Sequence, residues 1–289
     1  MDFHFHPLRF WFVARETIHF PQGKASNILR GAFGTIFRRL ACDPKCPGAK
    51  ECGQRERCAY ARVFEPGALA DASRGYGDWP RAFVFRAAAI DGRTIRPDET
   101  FHFDLNLFDV RTPAASFFEL AFAEVSRDGL GPSRGRAELI RVEGSPTRIS
   151  LDPAEPVARV RVRFVTPTEL KAGGELAARP EFGVLLTRIR DRLSKLRELY
   201  GEGPLEMDFR ALAERAAAVR MTLCDIRHVG VWRKSSRTGA AHPLGGFVGE
   251  AGYEGDLGEF VPFLRAAKWT GVGRQTAWGK GELDVHVDS

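Results

Sequence analysis

The sequence predicts an α+β protein made of two tandem ferredoxin-like (β-α-β-β-α-β, RRM-like) domains, with a cysteine-rich loop inserted in the first. Its 289 residues suit two domains better than one average domain. The spacing of apolar residues changes between period 2, typical of strands, and period 3.6, typical of helices, and this succession occurs in the same order twice along the chain. Three prolines in SPTRISLDPAEP, 145–156, mark a connector. We therefore expect domains at 1–150 and 156–289, with the cysteine-rich insertion at 42–66.

The individual elements follow from the same periodicities. In the first half, strands are predicted over 8–20, 81–90, 99–110 and 135–144, and helices over 23–42 and 114–131. In the second half, strands are predicted over 157–167, 220–234, 244–255 and 282–287, and helices over 179–201, 208–218 and 257–269. Ser26 and Asn27 are candidate N-caps of the first helix. Gly31 and Gly34 within it predict close approach of another element or of an RNA backbone.

Composition is that of an ordinary globular protein, with 44% hydrophobic and 28% charged residues. No apolar run approaches the roughly 20 residues that span a bilayer, and the N-terminus lacks the features of a secretion signal. We therefore expect a soluble, cytoplasmic protein without a membrane partner. The net charge of +6 is carried mostly by arginine. This favours a polyanionic partner, although a GC-rich genome would produce the same arginine bias.

A glycine-rich loop, TGVGRQTAWGKG at 270–281, has the composition of a phosphate-binding segment. It is not a Walker A loop, because Gly281 replaces the required Ser or Thr after Lys280. It is not a dinucleotide fingerprint, because Thr276 occupies the third glycine position and no βαβ unit follows. We expect no nucleotide cofactor. Glycine amides and the cations Arg274 and Lys280 instead predict a clamp on an RNA backbone.

The loop's G-V-G-x5-G-K-G spacing resembles the C-terminal G-h-G-x5-G-h-G motif (h, apolar) of the CRISPR repeat-processing endoribonucleases of the RAMP (repeat-associated mysterious protein) superfamily. Lys280 departs from the second apolar position. FVTPTELK, RKSSRTG, HPLGGFVGEAGYEGDLGEFVPFLR, GKASNILRGAFG and CAYARVFEP look like the same superfamily, so the resemblance covers most of the chain.

The resemblance implies two facing ferredoxin-like domains that bind a CRISPR repeat in precursor RNA and cut it once per repeat, without a metal in the chemistry. The 2′-hydroxyl would attack the neighbouring phosphate and leave a 2′,3′-cyclic phosphate and a 5′-hydroxyl. Such a reaction needs a base, an acid and a cation for the developing charge. The implied partners are CRISPR repeat RNA and proteins of a CRISPR effector complex.

The family places its acid–base residues near the first helix, where this chain has no histidine inside the helix. His19 is the candidate base or acid, and Lys24 and Arg30 are candidates for stabilising phosphate charge; a structural role for His19 is the alternative. His242, in a basic loop, is the rival for the chemistry. The remaining histidines are interpreted as structural or surface residues: His4 and His6 on an edge strand, His102, His228 and His286.

Three arginines, Arg159, Arg161 and Arg163, alternate along one strand and therefore share one sheet face. They are candidate RNA contacts, with a salt-bridged face as the alternative. Further RNA-binding candidates lie in the basic loop and in the glycine-rich loop: Arg233, Lys234, Arg237, Gly271, Gly273, Arg274, Gln275, Gly279, Lys280 and Gly281.

Four cysteines are clustered as C-x3-C-x5-C-x5-C: Cys42, Cys46, Cys52 and Cys58. In a reducing compartment this clustering predicts a structural zinc ion or an iron–sulfur cluster, rather than disulfides or a catalytic centre. The sequence thus predicts a metal-independent endoribonuclease that matures CRISPR RNA, with a non-catalytic RNA-binding subunit of a CRISPR effector complex as the alternative. A regulator or redox protein that merely shares the fold is a more distant one.

Overall fold

A computed structural model describes residues 1–43, 45–69, 79–111, 114–153, 155–230, 232–234, 241–243 and 245–288. The strands are β1 (Asp2–Ala14), β2 (Ile18–His19), β3 (Phe83–Arg86), β4 (Thr94–Ile95), β5 (Thr100–Leu107), β6 (Ala137–Glu143), β7 (Thr147–Ser150), β8 (Arg159–Thr168), β9 (Lys171–Ala172), β10 (Glu175–Leu176), β11 (Arg220–Val229), β12 (Trp232–Lys234), β13 (Ala241–Pro243), β14 (Gly246–Glu254) and β15 (Leu283–Asp288). The helices are α1 (Ala25–Ala41), α2 (Ala59–Val63), α3 (Ala115–Asp128), α4 (Phe182–Tyr200), α5 (Phe209–Ala217) and α6 (Val261–Thr270).

The chain forms two compact units. The N-terminal unit consists of His4–Thr147 with Leu199–Gly201, and the C-terminal unit consists of Met1–Phe3, Arg148–Glu198 and Glu202–Ser289. Among the described residues, no helix combines the length and the apolar character that a membrane span requires.

The sheet of the N-terminal unit has the strand order β3-β5-β1-β6, with β7 also paired to β1. Along the chain the main elements run β1-α1-β3-β5-α3-β6, so the first and third strands of the series lie in the centre. In the C-terminal unit the main elements run β8-α4-β11-β14-α6-β15 along the chain, and the sheet order is β11-β14-β8-β15. The first and third strands, β8 and β14, therefore again lie in the centre of the sheet. The predicted α+β class with tandem ferredoxin-like domains is confirmed.

Aromatic side chains fill the core of the N-terminal unit. Phe10 and Phe103 stack across β1 and β5 with ring centroids 5.3 Å apart, and Phe12 and Phe101 repeat the contact at 5.3 Å. Phe33 of α1 stacks on Phe118 of α3 at 4.1 Å. Because strand side chains alternate, the residues between these phenylalanines point to the opposite face of the sheet.

The first predicted strand differs from the observed one. β1 begins at Asp2, and the chain turns after Ala14 before the separate short strand β2, because the amides of Arg15 and Glu16 both donate to the carbonyl of Arg136. His4 therefore lies in a central strand and not in an edge strand. The predicted strand 220–234 is likewise divided into β11 and β12, and the predicted connector contains β7.

Helix α1 begins at Ala25, so neither Ser26 nor Asn27 is its N-cap. The Asp91 carboxylate instead accepts hydrogen bonds from the backbone amides of Gly23 (2.7 Å), Lys24 (3.1 Å) and Ala25 (3.0 Å). The helix thus receives its cap from a distant turn. Of the two glycines inside the helix, Gly34 faces the Phe64 ring, where a Cβ would collide, whereas Gly31 has open space. The close approach predicted for this helix therefore occurs at Gly34, and the approaching group is the Phe64 ring.

We expect Asp91→Ala to lower the free energy of unfolding by about 2 kcal/mol, because three backbone donors lose their shared acceptor. Urea denaturation followed by circular dichroism measures the change. Asp256→Ala removes an exposed carboxylate from the turn before α6 and should change stability by less than about 0.5 kcal/mol. Equal losses in the two variants would contradict the capping role.

Candidate nucleic-acid interface

The segment that leads into α1 presents two of the predicted catalytic residues to solvent. His19 ends β2, is exposed, and its Nδ1 lies 3.0 Å from the Thr94 hydroxyl oxygen on the paired strand β4. Lys24 precedes the first residue of α1 and is also exposed. This contact holds the imidazole ring at Nδ1.

Arg30 differs from these two residues in its surroundings. Its side chain is 9% exposed, and its guanidinium carbon lies 4.9 Å from the centroid of the Phe64 ring. This is cation–π packing inside the N-terminal unit. The geometry gives Arg30 a packing role and does not present it to a phosphate at the surface.

The glycine-rich loop packs against the end of β8. The Val272 amide donates to the Gly281 carbonyl (2.9 Å), the Arg274 amide to the Glu169 carbonyl (3.2 Å), and the Gly281 amide to the Pro167 carbonyl (3.1 Å). Four glycines adopt positive φ angles: Gly271 (70°), Gly273 (78°), Gly279 (78°) and Gly281 (68°). A Cβ on Gly273 would collide with the Glu169 carbonyl oxygen, and one on Gly281 with that of Val272. The loop's own packing therefore requires glycine at these two positions.

The two cations of this loop have different positions. Lys280 is only 3% exposed, so it is buried and not at the surface. Arg274 is 48% exposed and forms an ion pair with Glu169 at 3.1 Å. Gln275, beside it, adopts a left-handed φ of 61°. Of the predicted loop cations, Arg274 is the one at the surface.

The three alternating arginines of β8 do lie on one exposed face of the C-terminal sheet. Acidic residues on both neighbouring strands oppose them. Arg159 pairs with Glu254 at 2.9 Å, and Arg161 with Asp288 at 3.4 Å. Arg163 lies opposite Glu250 and Asp284 in the strand register. The geometry favours the salt-bridged alternative over a free cationic surface.

The predicted basic loop contains a short hairpin of β12 and β13. In its register Arg233 is opposite His242 and Lys234 is opposite Ala241. Arg237 lies outside the described residues. The hairpin therefore brings the backbone of the rival histidine beside that of a predicted RNA-binding arginine.

The cysteine cluster joins two helices. Cys42 follows α1 and Cys58 precedes α2, and all four thiols of the cluster are free and half-buried. Burial, together with the neighbouring thiols of Cys58 and Cys46, raises the pKa of Cys42 to about 12. Within the described part of the chain, no group of three or more His, Cys, Asp or Glu side chains is arranged to hold a metal ion. The metal centre remains a prediction.

The outward face of the N-terminal sheet carries a group of residues to which the sequence interpretation assigned no function: Arg9, Trp11, His102, Asp104, Arg141 and Glu143. They occupy the positions of β1, β5 and β6 that alternate with the core residues. The alternation that predicts the core residues of these strands therefore also predicts which residues lie together on the outward face.

Two family models match the chain. The N-terminal domain model AF_1859_N matches residues 3–167, and the model of the CRISPR-associated endoribonuclease Cas6 matches residues 162–283. The C-terminal part of the chain, residues 162–283, is thus similar to the Cas6 endoribonuclease family. The glycine-rich loop and strands β11 to β14 all lie within the match to Cas6.

Solved Cas6 structures have the same fold as this chain. The product complex of Cas6 (TTHB231) from Thermus thermophilus is 18% identical over 98% of this chain and 99% of that chain, with a TM-score of 0.61. The product complex of Cas6 (TTHA0078) is 17% identical over 98% and 99%, with a TM-score of 0.57. A chain of the partial Cas6-RT-Cas1–Cas2 complex is 12% identical over 99% and 46%, with a TM-score of 0.58. No curated protein sequence matches significantly.

We expect Gly273→Ala and Gly281→Ala each to destabilise the protein by about 2 kcal/mol or more, because left-handed φ angles and carbonyl collisions exclude a Cβ. Thermal unfolding measures the change. Gly31→Ala is the matched control: its site is open and helical, so the same substitution should stabilise by up to about 1 kcal/mol. Unchanged melting temperatures in both loop variants would contradict the packing role.

Proposed function

We propose that this chain binds CRISPR repeat RNA and cuts precursor CRISPR RNA once per repeat by a metal-independent attack of the 2′-hydroxyl. The match of residues 162–283 to Cas6 carries the proposal. In this proposal the chain acts in the cytoplasm, and its partners are the repeat RNA and proteins of a CRISPR effector complex.

The chemistry balances without water or a cofactor. The 2′-oxygen forms a bond to phosphorus while the bond from phosphorus to the 5′-oxygen breaks. The proton of the 2′-hydroxyl passes to a base, and an acid protonates the leaving 5′-oxygen. The products are a 2′,3′-cyclic phosphate and a 5′-hydroxyl. Positioning of the attacking oxygen in line with the leaving oxygen contributes as much as the acid and base.

His19 is our candidate for one of the two proton transfers, through the Nε2 atom that its bond to Thr94 leaves for the substrate. Lys24 would stabilise charge on the phosphorane. His242 of β13 is the rival candidate for the chemistry. Arg274, at the surface of the glycine-rich loop, would contact the RNA backbone after it exchanges Glu169 for a phosphate.

The runner-up is a non-catalytic RNA-binding subunit of a CRISPR effector complex. It is favoured by the burial of Arg30, which leaves one histidine and one lysine at the surface of the predicted catalytic cluster. The two functions differ in their products. Binding of RNA is common to both, whereas cleavage belongs to the first.

We expect incubation of labelled repeat RNA with the protein in EDTA to give a single cut per repeat, because no divalent cation takes part in the chemistry. Treatment of the upstream product with acid should open its cyclic phosphate, and this identifies the end group. Binding without cleavage would favour the non-catalytic subunit, and cleavage only after addition of metal would contradict the mechanism.

We expect His19→Ala to reduce the single-turnover rate by about 10²–10⁴-fold, the usual contribution of a general acid or base. Lys24→Ala should reduce it by a smaller factor. His286→Ala, an exposed histidine of β15 beside Asp284, is the matched control and should cleave at the wild-type rate. If His19→Ala and Lys24→Ala cleave normally while His242→Ala does not, the hairpin carries the chemistry.

We also propose a structural metal centre, zinc or iron–sulfur, held by Cys42, Cys46, Cys52 and Cys58. Thiolates are ligands that both centres prefer, and the thiol of Cys42 already faces those of Cys46 and Cys58. The proposal requires Cys52 to join them. With all four positions taken, the metal would stabilise the loop and take no part in cleavage.

Protein purified with and without air should therefore contain zinc, or iron with visible absorption, in a ratio near one centre per chain. Cys52→Ser and Cys58→Ser should lose the metal and lower the melting temperature. Cys224→Ser, outside the cluster, should retain it. Absence of metal under both conditions would refute the centre and leave the proposed nuclease unaffected.

A further inference from the structure

The two central strands of the N-terminal sheet each place an aromatic ring on its outward face. Trp11 of β1 and His102 of β5 are directly paired in the strand register. Their ring centroids lie 4.5 Å apart, with an angle of 42° between the ring planes. Both residues are half-buried, so each is partly accessible to solvent.

Two arginines extend this aromatic pair. The guanidinium carbon of Arg141 lies 4.8 Å from the indole centroid of Trp11, and that of Arg9 lies 5.8 Å from it. We call these four residues, with the carboxylates of Asp104 and Glu143, the Trp11 platform. An indole, an imidazole and two planar guanidinium groups are all surfaces on which nucleobases stack.

The carboxylates hold the platform in place. Asp104 accepts hydrogen bonds from Arg9 Nε (2.6 Å) and Nη2 (2.8 Å). Glu143 accepts one from the indole Nε1 of Trp11 (2.8 Å) and pairs with Arg141 at 3.0 Å. The orientation of the indole is therefore set before any ligand arrives, which reduces the entropy lost on binding.

Charge on the platform cancels. Two guanidinium groups face two carboxylates, and burial, followed by the charge of Arg9, lowers the pKa of His102, which disfavours the charged form of its ring. A neutral surface offers little attraction to a phosphate. It offers planar faces to an uncharged base, and this chemistry distinguishes the platform from a backbone-binding groove.

The platform residues are less buried than the core residues on the other face of the sheet. Phe10, Phe12 and Phe103 occupy the opposite face of the same strands and are fully buried. A single exposed aromatic residue is ordinary on a protein surface. An aromatic pair on adjacent central strands, flanked by fixed guanidinium planes, is the arrangement by which four-stranded sheets of RNA-binding modules stack unpaired bases.

We propose that the Trp11 platform binds an unpaired nucleobase of single-stranded RNA by stacking. The inference rests on the proposed function for the identity of that RNA, which would be a single-stranded part of the repeat. The platform takes no part in cleavage. It binds one nucleotide of the RNA and so helps to determine which nucleotides lie at each position on the protein.

The test uses the full chain and a fluorescein-labelled oligouridylate of about ten nucleotides, too short and too unstructured to require a repeat sequence. We expect Trp11→Ala to weaken binding by about tenfold, because loss of one stacked base typically costs that much, and Trp11→Phe to weaken it less. Since the platform is neutral, the dependence of affinity on salt should keep the wild-type slope in Trp11→Ala.

Matched controls address charge and folding. Arg141→Gln should weaken binding, whereas Arg210→Gln, the same change at a 90% exposed position of α5, should not. A 5-iodouridine oligonucleotide irradiated with the wild-type protein should cross-link to Trp11, and mass spectrometry identifies the residue. This measurement needs no variant, so it decides the question even if Trp11→Ala fails to fold.

Failure of this inference is distinguishable from failure of the proposed function. Wild-type affinity in Trp11→Ala, cross-links only at other residues, or no binding of the oligonucleotide would overturn the platform even if repeat RNA is cleaved. Cross-linking at Trp11 without cleavage of repeat RNA would support the platform and contradict the nuclease.

Discussion

The alternation of side chains along β1 is the constraint on which both faces of the N-terminal sheet depend. Phe10 and Phe12 pack inward against the rings of Phe103 and Phe101. The same register directs Arg9 and Trp11 outward, opposite Asp104 and His102. A slip of one residue would exchange the two sets and bury the Arg9 guanidinium without its carboxylate. Core packing thus selects the register, and the register assembles the Trp11 platform.

The glycine-rich loop shows the same dependence of a surface on internal packing. Its glycines were predicted from their capacity to let an RNA backbone approach closely. In the structure, Gly273 and Gly281 first let the protein's own backbone approach, at the carbonyls of Glu169 and Val272. The motif therefore has a folding reason that holds whether or not RNA is bound. Its surface chemistry is carried by Arg274, since Lys280 is buried.

Helices and strands with a clear pattern of apolar residues within a short stretch of sequence were predictable. Contacts between residues far apart in the sequence were not. The apolar stripe of α4 and the alternation of β5 and β8 are visible within short windows, and these elements formed as predicted. The cap on α1 comes from Asp91, which no window around Ser26 contains. Likewise, the acidic partners of Arg159 and Arg161 lie on other strands, so periodicity revealed the cationic face but not its neutralisation.

Paired charges neutralise the outward faces of both sheets. The outward face of β8 is neutralised by acidic residues on β14 and β15, and the Trp11 platform by Asp104 and Glu143. The excess positive charge of +6 must therefore reside in other parts of the chain. In the proposed function, attraction of the phosphate backbone and contact with bases would then be performed by different surfaces. Because only the first is screened by salt, a neutral stacking site retains its contribution at the ionic strength where the electrostatic one weakens.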